Sequence, residues 1–174
     1  MVTSRFTHTS VLATDLAEST RFYEEVFGME RVPAPNFPDV EVVWLRCGDL
    51  TLHLFDRDIE AAPYYHFGLH VDDFERVYRT AREHDLVSDF DGAGETPTIY
   101  ELPEGALQMY IHDPAGNLVE INYHDVDDLP ADVREEVVAR ADQRPQTGEA
   151  ADARLYFDEF LADVGASSAG AGAE

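Results

Sequence analysis

The chain has 174 residues, of which 44% are hydrophobic, so it can bury one core in a single domain of about 100–200 residues. Its 36 acidic residues outnumber 12 basic ones, and the formal net charge of −24 would repel nucleic acid and anionic membranes. The acidic residues are spread along the whole chain, which we interpret as adaptation to a salt-rich cytoplasm that screens repulsion. No apolar run approaches the roughly 18 residues of a membrane span, and the single cysteine, Cys47, excludes an intrachain disulfide and a cysteine-based zinc site. We therefore expect a cytoplasmic protein with neither nucleic-acid nor membrane partners.

Two stretches of the sequence share one pattern. Residues 6–15 read FTHTSVLATD and residues 64–73 read YYHFGLHVDD. Each has a His, six further residues, and an Asp followed by an apolar residue. His8 and His66 therefore occupy equivalent positions, and a duplicated unit is predicted.

In the first copy, a strand that carries His8 leads into a helix. Asp15 and Glu18 form a capping pattern, an apolar stripe follows at helical spacing, and Gly28 ends the predicted helix. Three strands are predicted after it, at 29–33, 40–46 and 50–55.

In the second copy, Asp72 or Asp73 caps a helix whose apolar stripe begins at Phe74. Strands are predicted at 86–89, 107–112 and 117–123, with a tight turn at 113–116. The Gly- and Pro-rich loop 91–106 is a candidate rim or lid. Each copy is therefore predicted to fold as βαβββ.

The composition changes near residue 125. Amphipathic patterns predict helices near 131–142 and 151–164, and the small-residue tail is predicted to be disordered. The predicted organisation is one domain over 1–125, with modules at 5–56 and 63–124, a helical extension over 126–164, and a tail over 165–174.

Strand parity predicts which side chains lie on the same face and can form one site, because alternate residues of a strand point to opposite faces. The apolar faces should pack on the helices, which leaves four metal-capable side chains on the inward faces: His8, His53, His66 and Glu120. Nitrogen and carboxylate ligands of this kind suit Zn²⁺, Ni²⁺, Co²⁺, Mn²⁺ or Fe²⁺. The same faces carry four further candidates for a substrate pocket: Phe55, His70, Gln108 and Tyr110.

At these residues the sequence resembles members of the vicinal oxygen chelate superfamily, which includes glyoxalases, bleomycin-resistance proteins and extradiol dioxygenases. The resemblance lies in three stretches: HTSVLATDLAESTRFYEEVFGM, HFGLHVDDFERVYRTAREH and MYIHDPAGNLVEINY. It covers about residues 5–124, and DPxGNxxE is its most specific part. It implies an α+β fold in which two βαβββ modules form a U-shaped mixed sheet around a cavity.

The resemblance also implies one divalent metal ion per site. His8, His66 and Glu120 match the three common ligands, and His53 falls where glyoxalase-like members place a fourth. The alternative for His53 is a residue of the cavity wall. A homodimer is expected, because in many members the two halves of a site come from different subunits.

Three functions remain open at this stage. The first is a glyoxalase-like lyase or isomerase, in which the metal chelates two vicinal oxygens of a small substrate and stabilises an enediolate while a carboxylate, here Glu120, moves a proton. The second is an extradiol-type dioxygenase with a 2-His-1-carboxylate iron site. The third is a non-enzymatic resistance protein that binds a small molecule or antibiotic.

Overall fold

The computed structural model describes residues 6–62, 64–88, 99–158 and 160–162. The predicted α+β class is confirmed: runs of consecutive strands are separated by few helices, and the strands form two mixed sheets, one of four and one of five strands. By its internal contacts the chain divides into two compact units, Met1–Phe67 with Ile111–Val119, and Gly68–Tyr110 with Glu120–Glu174. No described helix is long and apolar enough to cross a bilayer.

The first sheet follows the predicted order of elements. These are β1 (His8–Ala13), α1 (Leu16–Phe27), β2 (Glu30–Val32), β3 (Val42–Cys47) and β4 (Leu50–Asp56). The strand order is β1-β4-β3-β2, with β1 parallel to β4 and the other pairs antiparallel. Leu45, Leu52 and Leu54 are fully buried, whereas Leu50, predicted for the same apolar face, is 40% exposed at the strand end.

The second sheet contains β5 (His66–His70), β6 (Ile99–Glu101), β7 (Leu107–His112), β8 (Leu118–Tyr123) and β9 (Val137–Ala139), in the order β5-β8-β7-β6-β9. Helix α2 (Phe74–Glu83) follows β5. The short helices α3 (Ala131–Arg134) and α4 (Arg140–Gln143) and 3₁₀ turns at Val126–Asp128 and Gly148–Ala151 follow β8.

Both predicted helix starts are confirmed. The Asp15 carboxylate accepts hydrogen bonds from the backbone N–H groups of Ala17 and Glu18, each at 2.9 Å, and Asp73 accepts one from Arg76 at 3.0 Å. Gly28 ends α1 in the left-handed conformation (φ +64°), which a glycine adopts without steric cost.

Two predictions about the residues after β5 need correction. Of the predicted strand 86–89, residue 89 lies outside the described residues, and among 86–88 only Val87 forms a β-bridge. Strand β6 lies instead within the predicted loop 91–106, where Ile99 and Tyr100 are buried and Tyr100 pairs with β7. The single helix predicted near 131–142 is interrupted by β9, which pairs in parallel with β6. Two of its three residues, Val137 and Val138, are β-branched and favour a strand.

The rest of the extension is only partly helical. Of the predicted helix 151–164, residues 158 and 160–162 are helical among those described, and the predicted tail 165–174 lies outside the described residues.

Candidate functional site

One face of the first sheet carries a stack of aromatic rings centred on His53. His53 on β4 lies opposite Trp44 on β3, and their rings are parallel within 3° with centroids 4.1 Å apart. The His8 ring, from β1, stacks on His53 with centroids 4.4 Å apart and planes 10° apart. The strand order therefore places the buried His53 ring between an indole and a second imidazole.

His53 is held by more than stacking. Its Nε2 lies 2.9 Å from the Thr51 hydroxyl, and its side chain is only 7% exposed. Burial, and then the charge of His8, lowers the pKa of His53, so the neutral ring is favoured. Because an imidazole binds a metal in its own plane, two parallel stacked rings do not point their nitrogens at one ion, so this arrangement allows at most one of His8 and His53 to bind it. His8 is exposed, whereas His53 is buried between two rings, which favours His53 as the wall residue.

His66, at the start of β5, is exposed and borders a cavity of about 430 Å³. Its Nδ1 lies 3.1 Å from the Tyr64 carbonyl oxygen, a contact in which Nδ1–H donates and the lone pair is on Nε2. Phe55, a predicted pocket residue, lines the same cavity, together with Ser10 and Arg57. The guanidinium of Arg57 donates to the backbone carbonyls of Asp39 and Asp56.

Glu120 lies at the centre of a hydrogen-bonded cluster in the second unit. Its side chain is buried, one carboxylate oxygen accepts a hydrogen bond from Gln108 Nε2, and the other accepts one from the Tyr110 hydroxyl, each at 2.8 Å. Gln108 and Tyr110, which strand parity predicts on the inward face, therefore contact the carboxylate on that face. Such donors fix the orientation of a carboxylate, as the residues behind a metal ligand do.

The DPAGN turn that precedes β8 is anchored by Asp113. The carboxylate of this buried residue accepts hydrogen bonds from the Tyr23 hydroxyl at 2.8 Å and from Asn117 Nδ2 at 2.7 Å. It also accepts from the backbone N–H groups of Ala115 and Asn117, and Asn117 Nδ2 donates to the Leu12 carbonyl at 2.7 Å. Burial raises the pKa of Asp113, with these hydrogen bonds opposing the shift. The motif thus fixes the turn from which the Glu120 strand starts.

His70, the last predicted pocket residue, contacts the C-terminal segment. Its Nδ1 lies 3.0 Å from the hydroxyl of Tyr156, and Phe160 meets its ring edge-on at 5.3 Å. Burial, and then the charge of His124, lowers the pKa of His70. Sequence reasoning missed Tyr156 and Phe160, because the periodicity of the extension gave no sign that it contacts a strand histidine.

The structure brings some of the predicted ligands together but does not gather a complete set. His8 and His53 are in contact, and Glu120 contacts Gln108 and Tyr110. Within the described ranges, no three His, Cys, Asp or Glu side chains form a group that could hold a metal ion. The donor chemistry, two imidazoles and an oriented carboxylate, still suits a divalent metal.

Each of the two mixed sheets has a helix after its first strand, which defines an α+β fold, and the comparisons identify the family. Residues 5–121 match the model of the Glyoxalase/Bleomycin resistance protein/Dioxygenase superfamily. The chain belongs to this superfamily, as the resemblance in its sequence indicates.

The chain is similar to two proteins in sequence and to a third in fold. The trivalent organoarsenical cleaving enzyme of Bacillus sp. (strain MD1) is 30% identical over 123 residues, which cover 68% of this chain and 73% of the relative. The lactoylglutathione lyase of Agrobacterium tumefaciens is 28% identical with a TM-score of 0.50, over 70% of this chain and 94% of that one. The fosfomycin resistance protein FosX of Listeria monocytogenes, at 15% identity and a TM-score of 0.52 over 71% and 92% of the two chains, shares the fold; a variant of it was solved with Mn(II) and a dihydroxypropylphosphonic acid.

Proposed function

We propose that the protein is a metal-dependent lyase or isomerase of the glyoxalase-like kind, which acts on a small substrate bound through two adjacent oxygen atoms. His8, His66 and Glu120 would hold the ion. The observation that carries the proposal is the buried Glu120 carboxylate, fixed at both oxygens by Gln108 and Tyr110. Burying a carboxylate is costly, and the two donors keep it in one orientation.

The two histidines have environments that suit the same role. Contact of Nδ1 with the Tyr64 carbonyl means that His66 would bind the ion through Nε2. Nδ1 of His8 lies 2.9 Å from the Thr7 hydroxyl, and when this hydroxyl accepts from Nδ1–H, the lone pair of Nε2 would be available to the ion. Because the described residues of one chain form no metal-binding group of three, we include in the proposal the homodimer that the resemblance implies.

A bound divalent ion would supply Lewis-acid polarisation of a substrate oxygen. Glu120 would take a proton from the carbon next to the substrate carbonyl, while Tyr110 and Gln108 keep the carboxylate aimed at that carbon. The cavity of about 430 Å³ beside His66 is in the size range of small-molecule sites. Arg57 at its border would suit a substrate with an anionic group.

A second candidate is oxygen-dependent cleavage of the substrate. If His53 is a wall residue, as its ring stack favours, two histidines and one carboxylate remain, the set of non-haem iron oxygenases. Cleavage of a trivalent organoarsenical, the activity in the name of the Bacillus relative, is less well supported. Trivalent arsenic prefers thiolates, and this chain has one cysteine, whose thiol pKa is raised by burial.

The proposal is tested by metal analysis of protein purified in high salt, followed by activity assays. We expect one Zn, Ni, Co or Mn per site, and at least a hundredfold loss of metal affinity in Glu120→Gln, with no change in Glu30→Gln, an exposed strand glutamate. Formation of lactoylglutathione from its hemithioacetal is the first assay.

The outcomes separate the candidates. Bound iron with oxygen uptake on catechols would favour the second candidate, and turnover of a trivalent phenylarsenical would favour the activity of the relative. Equal metal binding by Glu120→Gln and the original protein would overturn the proposal.

A further inference from the structure

The C-terminal segment packs on the same sheet face as Glu120. A Cβ atom on Gly68 would lie 2.9 Å from Asn122 Nδ2, so Gly68 and Asn122 share a face of adjacent strands. By parity, His70 and Glu120 share that face with them. Tyr156, which contacts the His70 ring, therefore lies over the face of the candidate site.

The contacts of this segment are specific. Tyr156 is only 8% exposed, and its ring stacks on Phe160 with centroids 5.1 Å apart. The backbone N–H of Leu155 donates to the carboxylate of Glu104. This hydrogen bond joins the start of the segment to the connection between β6 and β7. Burial raises the pKa of Tyr156, and the charges of Glu104 and Glu120 raise it further, so the hydroxyl keeps its proton near the carboxylates.

The same face carries polar atoms that a ligand could satisfy. Nε2 of His70 and Oδ1 of Asn122 are buried and have no hydrogen-bond partner within the part of the chain that the structure describes. Asn122 is itself only 5% exposed. Since buried polar groups are almost always hydrogen-bonded, a substrate group that enters beside them could bond to these two atoms and would meet the aromatic pair.

We propose that Tyr156 and Phe160 are specificity-determining residues of the substrate site, and that they form an aromatic wall for a planar or apolar group of the substrate. The inference rests on the proposed function and narrows its substrate class to small oxygen chelators with a planar substituent. An aromatic wall favours such a substituent by about two- to tenfold through ring stacking.

Two hydroxamates test the wall, because both chelate a metal through two adjacent oxygens and differ only in their substituent. Affinities of benzohydroxamate and acetohydroxamate are measured by calorimetry on the metal-loaded full chain and on the metal-free chain. We expect benzohydroxamate to bind more tightly, with this preference lost in Tyr156→Ala and Phe160→Ala. It should persist in Tyr156→Phe, which keeps the ring, and in Phe157→Ala, a control in the same segment that is 74% exposed.

Two failures are distinguishable. If hydroxamate binding in the original protein does not depend on metal, the proposed function is overturned and the wall with it. If binding depends on metal but the preference is unchanged in both Tyr156→Ala and Phe160→Ala, only the wall is overturned. Because Phe160 is 42% exposed, we expect Phe160→Ala to fold. The ratio of the benzohydroxamate and acetohydroxamate affinities can then be measured in it.

Discussion

The last strands of the two copies, β4 and β8, occupy equivalent places but present their candidate ligands differently. Each follows a turn with a glycine at positive φ, Gly48 or Gly116, and each carries a polar side chain on its inward face. On β4 the side chain is an imidazole packed between two rings. On β8 it is a carboxylate held by two hydrogen bonds. The two strands thus carry a polar side chain at the same place, but ring stacking surrounds it on β4 and hydrogen bonds hold it on β8.

The turns before the two strands differ in the same way. The turn before β8 is fixed by four hydrogen bonds to the Asp113 carboxylate, whereas at the turn before β4 Arg46 Nε donates to the Gly48 carbonyl. A carboxylate ligand requires a fixed strand start, since a one-residue slip would turn it to the opposite face.

The largest effect is expected when the anchored turn is broken. Asp113→Ala leaves the buried Tyr23 hydroxyl and Asn117 amide without their acceptor, and we expect it to lower the free energy of unfolding by about 3–5 kcal/mol. Urea unfolding measures the change. Asp125→Ala, which removes an aspartate with one backbone hydrogen bond, to Asp127, is the control with an expected loss below about 1 kcal/mol. Equal losses in the two variants would show that the turn is not anchored by Asp113.

The hydrogen bonds to Glu120 are tested next. Tyr110→Phe removes one donor to the carboxylate, and we expect about a 10- to 100-fold weaker metal affinity, measured by competition with a chelator. Tyr65→Phe, at a residue that is 84% exposed, should bind metal as the original protein does. Unchanged affinity in Tyr110→Phe would place Glu120 outside the metal site.

His53 provides the converse test on β4. His53→Phe keeps the ring stack and removes both nitrogens, so metal affinity should change less than about threefold, while His53→Ala should cost about 1–2 kcal/mol of stability through lost stacking. A large loss of metal affinity in His53→Phe would make His53 the fourth ligand that the family resemblance implies.

The smallest effect concerns pH. The pKa of His70 is lowered by burial and by His124, against an opposing effect of Asp72, so the folded chain favours the neutral ring. The unfolded chain then binds more protons between the folded pKa and the ordinary value of about 6.5, and stability falls as pH drops through that window. In Tyr156→Ala, which uncovers the ring, the pKa should move toward the ordinary value in a histidine NMR titration. An unchanged pKa would mean that Tyr156 does not bury His70.

Much of this arrangement follows from local sequence signals. Asp15 and Gly28 mark the ends of α1 because capping depends on a few neighbouring residues, and parity places Glu120, Gln108 and Tyr110 on one face because side chains alternate along any strand. The β6 strand could not be predicted, since Ile99 and Tyr100 are strand residues only through pairing with β7 and β9. Parity gives the face of His53 but not its partners, so the Trp44 stack also required the structure.

The central claim is that His8, His66 and Glu120 bind one divalent ion and that His53 does not. X-ray absorption spectroscopy of the metal-loaded protein counts the imidazoles around the ion. We expect two imidazoles around the ion in the original protein and in His53→Phe, and one in His66→Ala. A spectrum without imidazole scattering, or one unchanged by His66→Ala, would contradict it.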